Sequence, residues 1–235
     1  MQRKIEFSVG EYYHVYNRGV EKRDIFMTND DKERFLRLLY LANGTKPIVY
    51  RTVQGLPLYE IDVDEKKVAI GAYCMMSNHF HILIKEISEG GLSSFMEKLT
   101  TGYSMYFNKR SERVGALFQG RFKAEHVTRD EYLKYLYAYI HLNPVKLIEP
   151  TWKEAGIQNL PEAKKYLEKY RYSSYEDYAM GKREESAILT PSEFPDYFEK
   201  NGDFEHYIKD WLDYKDEDSL QNQGKTTKTT QGTPM

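Results

Sequence analysis

The stretch "SNHFHILIKE" (77–86) decides how the chain folds. Two imidazoles, His79 and His81, flank Phe80 at the head of an apolar run. In a strand, residues i and i+2 point to the same face, so His79 and His81 project together and Phe80 turns the other way. "HFHILIKE" (79–86) therefore reads as a strand, Ser77 and Asn78 as a turn, and the apolar "VAIGAYCMM" (68–76) before it as a partner strand.

Working outward, "YYHVYNRG" (12–19) is rich in aromatic and β-branched residues and predicts another strand. "NDDKERFLRLLYLAN" (29–43) opens with capping residues and repeats apolar positions at helical spacing. Residues 44–67 read as a connection with room for a short hairpin. "GGLSSFMEKLTTGYSMYFNKR" (90–110) predicts a helix with serine as its cap, and "GRFKAEHVT" (120–128) a strand. "RDEYLKYLYAYIHLN" (129–143) predicts a helix stopped at Pro144. The order is β-α-β-β-α-β-α, and its first six elements form the split βαββαβ pattern of ferredoxin-like folds. The expected class is α+β: an antiparallel ferredoxin-like sheet, an added helix at 129–143, and a mainly helical C-terminal extension. The expected organisation is a domain over 1–148, a helical Tyr-rich extension over 149–214, and a disordered tail over 215–235, where apolar residues nearly vanish.

Bulk properties narrow the classes of function. A chain of 235 residues can bury a sizeable core. It has no apolar run of the roughly 20 residues a membrane span needs, and the start "MQRKIEFSVGEYYHV" lacks a secretory signal. The single cysteine, Cys74, excludes an internal disulfide, fits a cytoplasmic location and sits in an apolar run as a buried thiol. Net charge is −2, yet residues 98–146 hold 9 basic and 4 acidic side chains, a local surface that attracts phosphates. Within 107–123, Lys109, Arg110, Arg113, Arg121 and Lys123 are interleaved with Phe107, Phe118 and Phe122. Basic side chains contact phosphates and aromatic rings stack on unpaired nucleobases; a solvated loop over core phenylalanines has the same composition. "YNRGVEKRD" (16–24) is a second basic turn, with Asn17 and Arg18 as DNA contacts.

Paired neutral imidazoles can chelate a divalent ion, and they can equally be satisfied histidines on a sheet. With one cysteine, zinc deaminase and zinc ribbon patterns are excluded, while a His-rich zinc site drawing on His14 or His126 stays open. Tyr139 and Asn143 are four apart and share a helix face. Asn143 could offer its amide oxygen to an ion beside the Tyr139 phenol, a competent nucleophile once deprotonated. With 21 tyrosines in the chain, Tyr132, Tyr135 and Tyr139 could also be a packing stripe. His141 lies about 200° around the helix from Tyr139 and should face away from such a site.

"SNHFHILI", followed some fifty residues later by "YAYIHLNPVK", resembles the HUH single-tyrosine transposases. "YHVYNRGVEKRDIF" and "FQGRFKAEHV" are similar to the same superfamily, and the nearer likeness is to its REP-associated tyrosine transposase branch. The resemblance spans roughly residues 10–180. It implies that His79, His81 and Asn143 hold Mg²⁺ or Mn²⁺ and that Tyr139 is the nucleophile. It also implies cleavage of single-stranded DNA beside a hairpin through a 5′-phosphotyrosine link, by a monomer or a homodimer. Two alternatives remain at this level: a nucleic-acid-binding module without chemistry, and a metal-dependent phosphodiesterase that uses water.

Overall fold

The computed structural model describes residues 6–47, 49–198 and 202–213. Its centre is one sheet of four strands: β1 (Tyr12–Arg18), β2 (Val68–Met75), β3 (His79–Glu86) and β4 (Lys123–Val127). Their spatial order is β2-β3-β1-β4 and every pair is antiparallel. The three-residue link between β2 and β3 (76–78) makes the hairpin that the opening stretch predicts.

Strand alternation divides the sheet into two apolar faces. Tyr13, Val15, Phe80, Ile82 and Ile84 pack on helices α1 (Asn29–Leu41) and α2 (Gly91–Arg110), through Phe35, Leu39, Phe95, Leu99 and Tyr103. Ala69, Ala72, Cys74 and Leu83 meet Leu133, Leu136, Tyr137 and Ile140 of helix α3 (Asp130–Leu142). Cys74 is buried, as its apolar context implies. The register of β2 on β3 shifts between Ile70 and Ala72. Gly71, in that irregularity, leaves the space that the Phe194 ring and the Tyr137 hydroxyl occupy; a Cβ there would come within 2.9 Å of both.

Local sequence chemistry accounts for the helix ends, with several departures from the sequence reading. Thr28, one residue earlier than expected, caps α1 in a reciprocal box with Asp31. No serine caps α2: Gly90 takes the left-handed conformation there (φ 65°), and the buried Glu86 carboxylate lies against the amides of Gly90, Gly91 and Leu92. Residues 44–67 contain no hairpin among their described positions, only a bridge between Gly44 and Lys66 and two 3-10 turns. Leu58, Ile61 and Val63 bury themselves instead of alternating. β4 starts at Lys123 rather than at residue 120, where a glycine with φ 79° makes a turn. Pro144 does not stop the chain's coiling. It opens a 3-10 helix (Asn143–Leu147), since a first-turn proline lacks only an N–H that has no partner anyway.

The chain after residue 148 is mainly helical, as expected: α4 (Trp152–Ala155), α5 (Leu160–Lys169), α6 (Tyr175–Ala179) and α7 (Asp203–Asp213). It also does something the sequence did not announce. Its backbone runs along the free edge of β2, with amide-to-carbonyl bonds Met75 to Tyr172, Ser174 to Tyr73 and Thr190 to Ile70. An exposed strand edge is thereby satisfied. The tail expected over 215–235 lies outside the described residues.

Arg183 fastens this cover. Its guanidinium donates to both Asp177 oxygens, to the carbonyls of Arg171 and Ser173, and to the Tyr73 hydroxyl. Removing one member of a buried, multiply bonded pair typically costs about 3–5 kcal/mol. Arg183→Met should therefore lower the melting temperature by roughly 10 °C, read by circular dichroism. A drop of less than about 2 °C would show that the network adds nothing net to stability.

Candidate active site

Antiparallel register brings the polar residues of three strands onto the face under α3. β1 pairs Tyr16 with His81 and Arg18 with His79, and on its other side pairs His14 with Glu125. His79 and His81 do share this face, with ring centroids 5.1 Å apart. α3 lays the Tyr139 ring edge-on against both His81 (5.5 Å, 89°) and His14 (5.7 Å, 76°). Asn143 ends the same helix one turn later, and its amide donates to the Tyr139 carbonyl at 2.7 Å, leaving its oxygen available. Tyr139 and the His79–His81 pair thus meet at one place.

Hydrogen bonds fix how the imidazoles present themselves. The Asn78 amide nitrogen donates to the Lys22 carbonyl (3.0 Å), which turns its oxygen towards His79. His79 Nδ1–H donates to that oxygen at 2.6 Å, so its Nε2 carries the free lone pair. His14 Nε2 and His81 Nδ1, 2.9 Å apart, share one hydrogen bond. Burial, with nearby cations secondary for His79 and the neighbouring imidazoles for His81, keeps these rings neutral. His14 and His79 are pulled down to about 4, and His81 lies well below the usual range. The Tyr139 phenol is raised, first by burial and then by the Glu125 carboxylate, against the pull of the Asn143 side chain and Arg18.

Two residues of the site, Glu125 and Lys153, were not assigned to it from the sequence. Glu125 accepts from the hydroxyls of Tyr16 (2.8 Å) and Tyr132 (3.2 Å). Lys153, from α4, holds its ammonium 4.0 Å from the centre of the Tyr139 ring, and burial brings it down to about 8. His14 had been one of two open zinc candidates. The other, His126, points to the opposite face, where it stacks on Tyr13 and pairs with Glu11. Period-two reading of "YYHVYNR" puts Tyr12, His14, Tyr16 and Arg18 on one face, but only the register shows that His79 and His81 share it. His141 faces away, as its helix position implies, bonded to the Tyr137 carbonyl and to Ser174.

The basic residues divide between the two sides. Arg18 and Lys123 are exposed on the strands beside the site. Asn17 is buried on the other face, bonded to the Gly120 carbonyl and to its neighbour's amide. Arg121 is exposed at a groove with Phe118 and Phe122. Lys109, Arg110 and Arg113 lie at the end of α2, with Arg110 held by buried Asp31 and Arg113 by Asn108. Phe107 and Phe118 are core residues.

Among the described residues, no three His, Cys, Asp or Glu side chains gather as a metal cluster. Two neutral imidazoles on one face are still donors suited to a divalent ion, and they carry no charge of their own.

Residues 58–143 match the family model for IS200-like transposases, and this span holds His79, His81, Tyr139 and Asn143. The matched segment is the part of the chain that carries the motifs resembling the HUH tyrosine transposases. Among solved structures it is similar to one described as a REP-associated tyrosine transposase bound to a REP hairpin. The two are 14% identical with a TM-score of 0.48, over 76% of this chain and 84% of that one. No curated protein matches the chain. No helix among the described residues is long and apolar enough to cross a membrane.

Neutral buried histidines make stability depend on pH with a definite sign. The ordinary imidazole takes a proton near 6.5, whereas His14 and His79 do so at about 4 and His141 at about 3. Below 6.5 the unfolded chain binds more protons than the folded one, so stability present above 6.5 is lost as pH falls towards 4. The melting temperature should drop steadily from pH 7 to pH 5, before most carboxylates titrate. A flat profile over that interval would mean that these imidazoles titrate normally.

Proposed function

We propose that the protein is a metal-dependent, single-strand-specific DNA endonuclease and strand transferase that acts on hairpin-bearing DNA through a 5′-phosphotyrosine. The observation that carries this reading is the contact of the Tyr139 ring with His81, beside His79, all three inside the segment matched by the transposase family, with His14 of β1 packed on the same ring. In this reading a ferredoxin-like unit over 1–148 carries the chemistry, and 149–214 is its helical extension. The hairpin and the 5′ polarity rest on the family resemblance.

His79, His81 and Asn143 would hold Mg²⁺ or Mn²⁺. Bound there, the ion would neutralise phosphate charge and favour the phenolate. The Tyr139 oxygen attacks phosphorus, the bond from phosphorus to O3′ breaks, the phenolic proton is lost and the leaving O3′ gains one. The phosphodiester's free energy is kept in the new link, so a 3′-OH can reverse the step without ATP. Lys153 sits where a cation would attract the phosphate towards the ring. Arg18 and Lys123 would contact the strand beside the site. Asn17, Lys109, Arg110, Arg113 and Arg121 would contact DNA on the far side or shape the surface that does.

Incubation with single-stranded DNA from the flanks of the protein's own gene, with Mn²⁺, followed by a denaturing gel, tests the whole reading. The wild type should yield cleavage and an adduct stable to boiling in detergent. Tyr139→Phe should yield neither while changing stability by only about 1 kcal/mol. Tyr135→Phe, one turn earlier on α3, should keep the adduct. Cleavage without any adduct would favour water as the nucleophile and sink the transposase reading.

A second check separates the ion from the nucleophile. His79→Ala and His81→Ala should abolish cleavage, weaken Mn²⁺ binding and leave the far-ultraviolet spectrum unchanged. Undiminished cleavage in both variants would remove the metal from the scheme.

A further inference from the structure

We infer that Glu125 and His14 are a positioning pair for His81, holding it in the tautomer whose Nε2 lone pair is free. Both histidines of the 79–81 pair then offer the same nitrogen to a divalent cation. The inference rests on reading His79 and His81 as the ligands, and it adds two residues from other strands to that site.

One proton lies between His14 Nε2 and His81 Nδ1, and it belongs to one ring or the other. If His14 donated it, His81 would carry its own proton on Nε2 and could not ligate through that atom. His14 would also turn a bare Nδ1 lone pair towards the Glu125 carboxylate, whose Oε2 is 3.8 Å away. Two electron-rich groups would face each other at a site where His14 is only 4% exposed and water cannot intervene freely. If His81 donates, each objection disappears. His14 Nδ1 carries the proton and points it at Glu125, His14 Nε2 accepts, and His81 Nε2 is left bare.

Glu125 is well placed to impose this choice. The Tyr16 and Tyr132 hydroxyls donate to it, one to each oxygen, which fixes the carboxylate without neutralising it. At 3.8 Å the His14 Nδ1 atom makes no hydrogen bond in this structure. The orienting effect is therefore that of a held negative charge on a nearby N–H dipole. The arrangement follows from register: Glu125 is paired with His14 across β4 and β1, and His14 is the diagonal neighbour of His81 across β1 and β3. His79 reaches the same tautomer by a different route, through Asn78.

Two measurements test the assignment. In metal-free, ¹⁵N-labelled wild type at pH 7.5, long-range ¹H–¹⁵N correlation should show His81 protonated on Nδ1 and His14 also on Nδ1. A His81 ring protonated on Nε2 overturns the inference, and this readout needs no variant and no metal. Titration with Mn²⁺ followed by electron paramagnetic resonance should then show affinity about 10–100-fold weaker in Glu125→Ala and in His14→Phe. The Glu125→Ala spectrum should also show His81 as a mixture of tautomers. Affinity within twofold of wild type in both variants overturns the inference. So does complete loss in His14→Phe with none in Glu125→Ala, which would make His14 a ligand itself. A wild type that binds no Mn²⁺ would defeat the metal reading, while the tautomer measurement would still decide the pairing.

Discussion

The register of β1 against β3 is the constraint on which the site depends. It sets Arg18 opposite His79 and Tyr16 opposite His81, so the polar side of one strand lies against the polar side of the other. A slip by one residue would turn His14 and Tyr16 to the α1–α2 side and bring Tyr13 and Val15 up under α3. Both faces of this sheet are buried, so such a slip would put a polar row into an apolar core. The penalty keeps the register single-valued. The same packing that stabilises the domain therefore gathers His14, His79 and His81 to within hydrogen-bonding or ring-contact distance, with the Glu125 carboxylate 3.8 Å from His14.

Burial then sets the chemistry. A buried imidazole resists protonation because its charged form loses hydration, and for His81 the two neighbouring imidazoles add repulsion to that cost. The result is a cluster of uncharged nitrogen donors, the form in which imidazole binds a cation. The Tyr139 phenol feels the same burial with the opposite consequence. Its deprotonated form is disfavoured, and a positive charge supplied at the site would reverse that. The two effects are complementary: a pocket that refuses protons on its histidines and refuses charge on its tyrosine would be relieved on both counts by one divalent ion.

Much of this was legible in the sequence because it depends on short-range periodicity. Separation by two in "HFH" and by four in "YIHLN" each place two side chains on one face, and both placements hold. The strand and helix order followed from apolar spacing for the same reason. What could not be read was whatever depends on distant parts of the chain meeting. Glu125 sits in a five-residue strand with mostly exposed positions, and nothing local marks it. Lys153 lies in a four-residue helix after the segment that reads as the fold. Residues 44–67 read as a possible hairpin because they hold scattered apolar residues between turn signals. Leu58, Ile61 and Val63 are instead individually drawn into the core over α1, and no ladder forms.

The extension does more than cover an edge, since it also ties the tyrosine helix to the sheet. The amide of Tyr73, on β2, donates to the Ser174 oxygen at 2.9 Å. The Ser174 hydroxyl in turn donates to His141 Nε2 at 2.7 Å. His141 Nδ1 passes the chain on, donating to the Tyr137 carbonyl at 2.8 Å. Every member is buried, so each bond has little competition from water. His141 is two residues from Tyr139 and points the opposite way around α3. Fixing one side of the helix to β2 therefore limits how far the other side can roll over His14 and His81. From the same extension, Lys153 closes over the Tyr139 ring. The position of the phenol is thus set from both directions, by a hydrogen-bonded chain behind the helix and by a cation in front of it. Residues 149–198 are part of what places Tyr139, even though the pairs that mark the site lie wholly within 79–143.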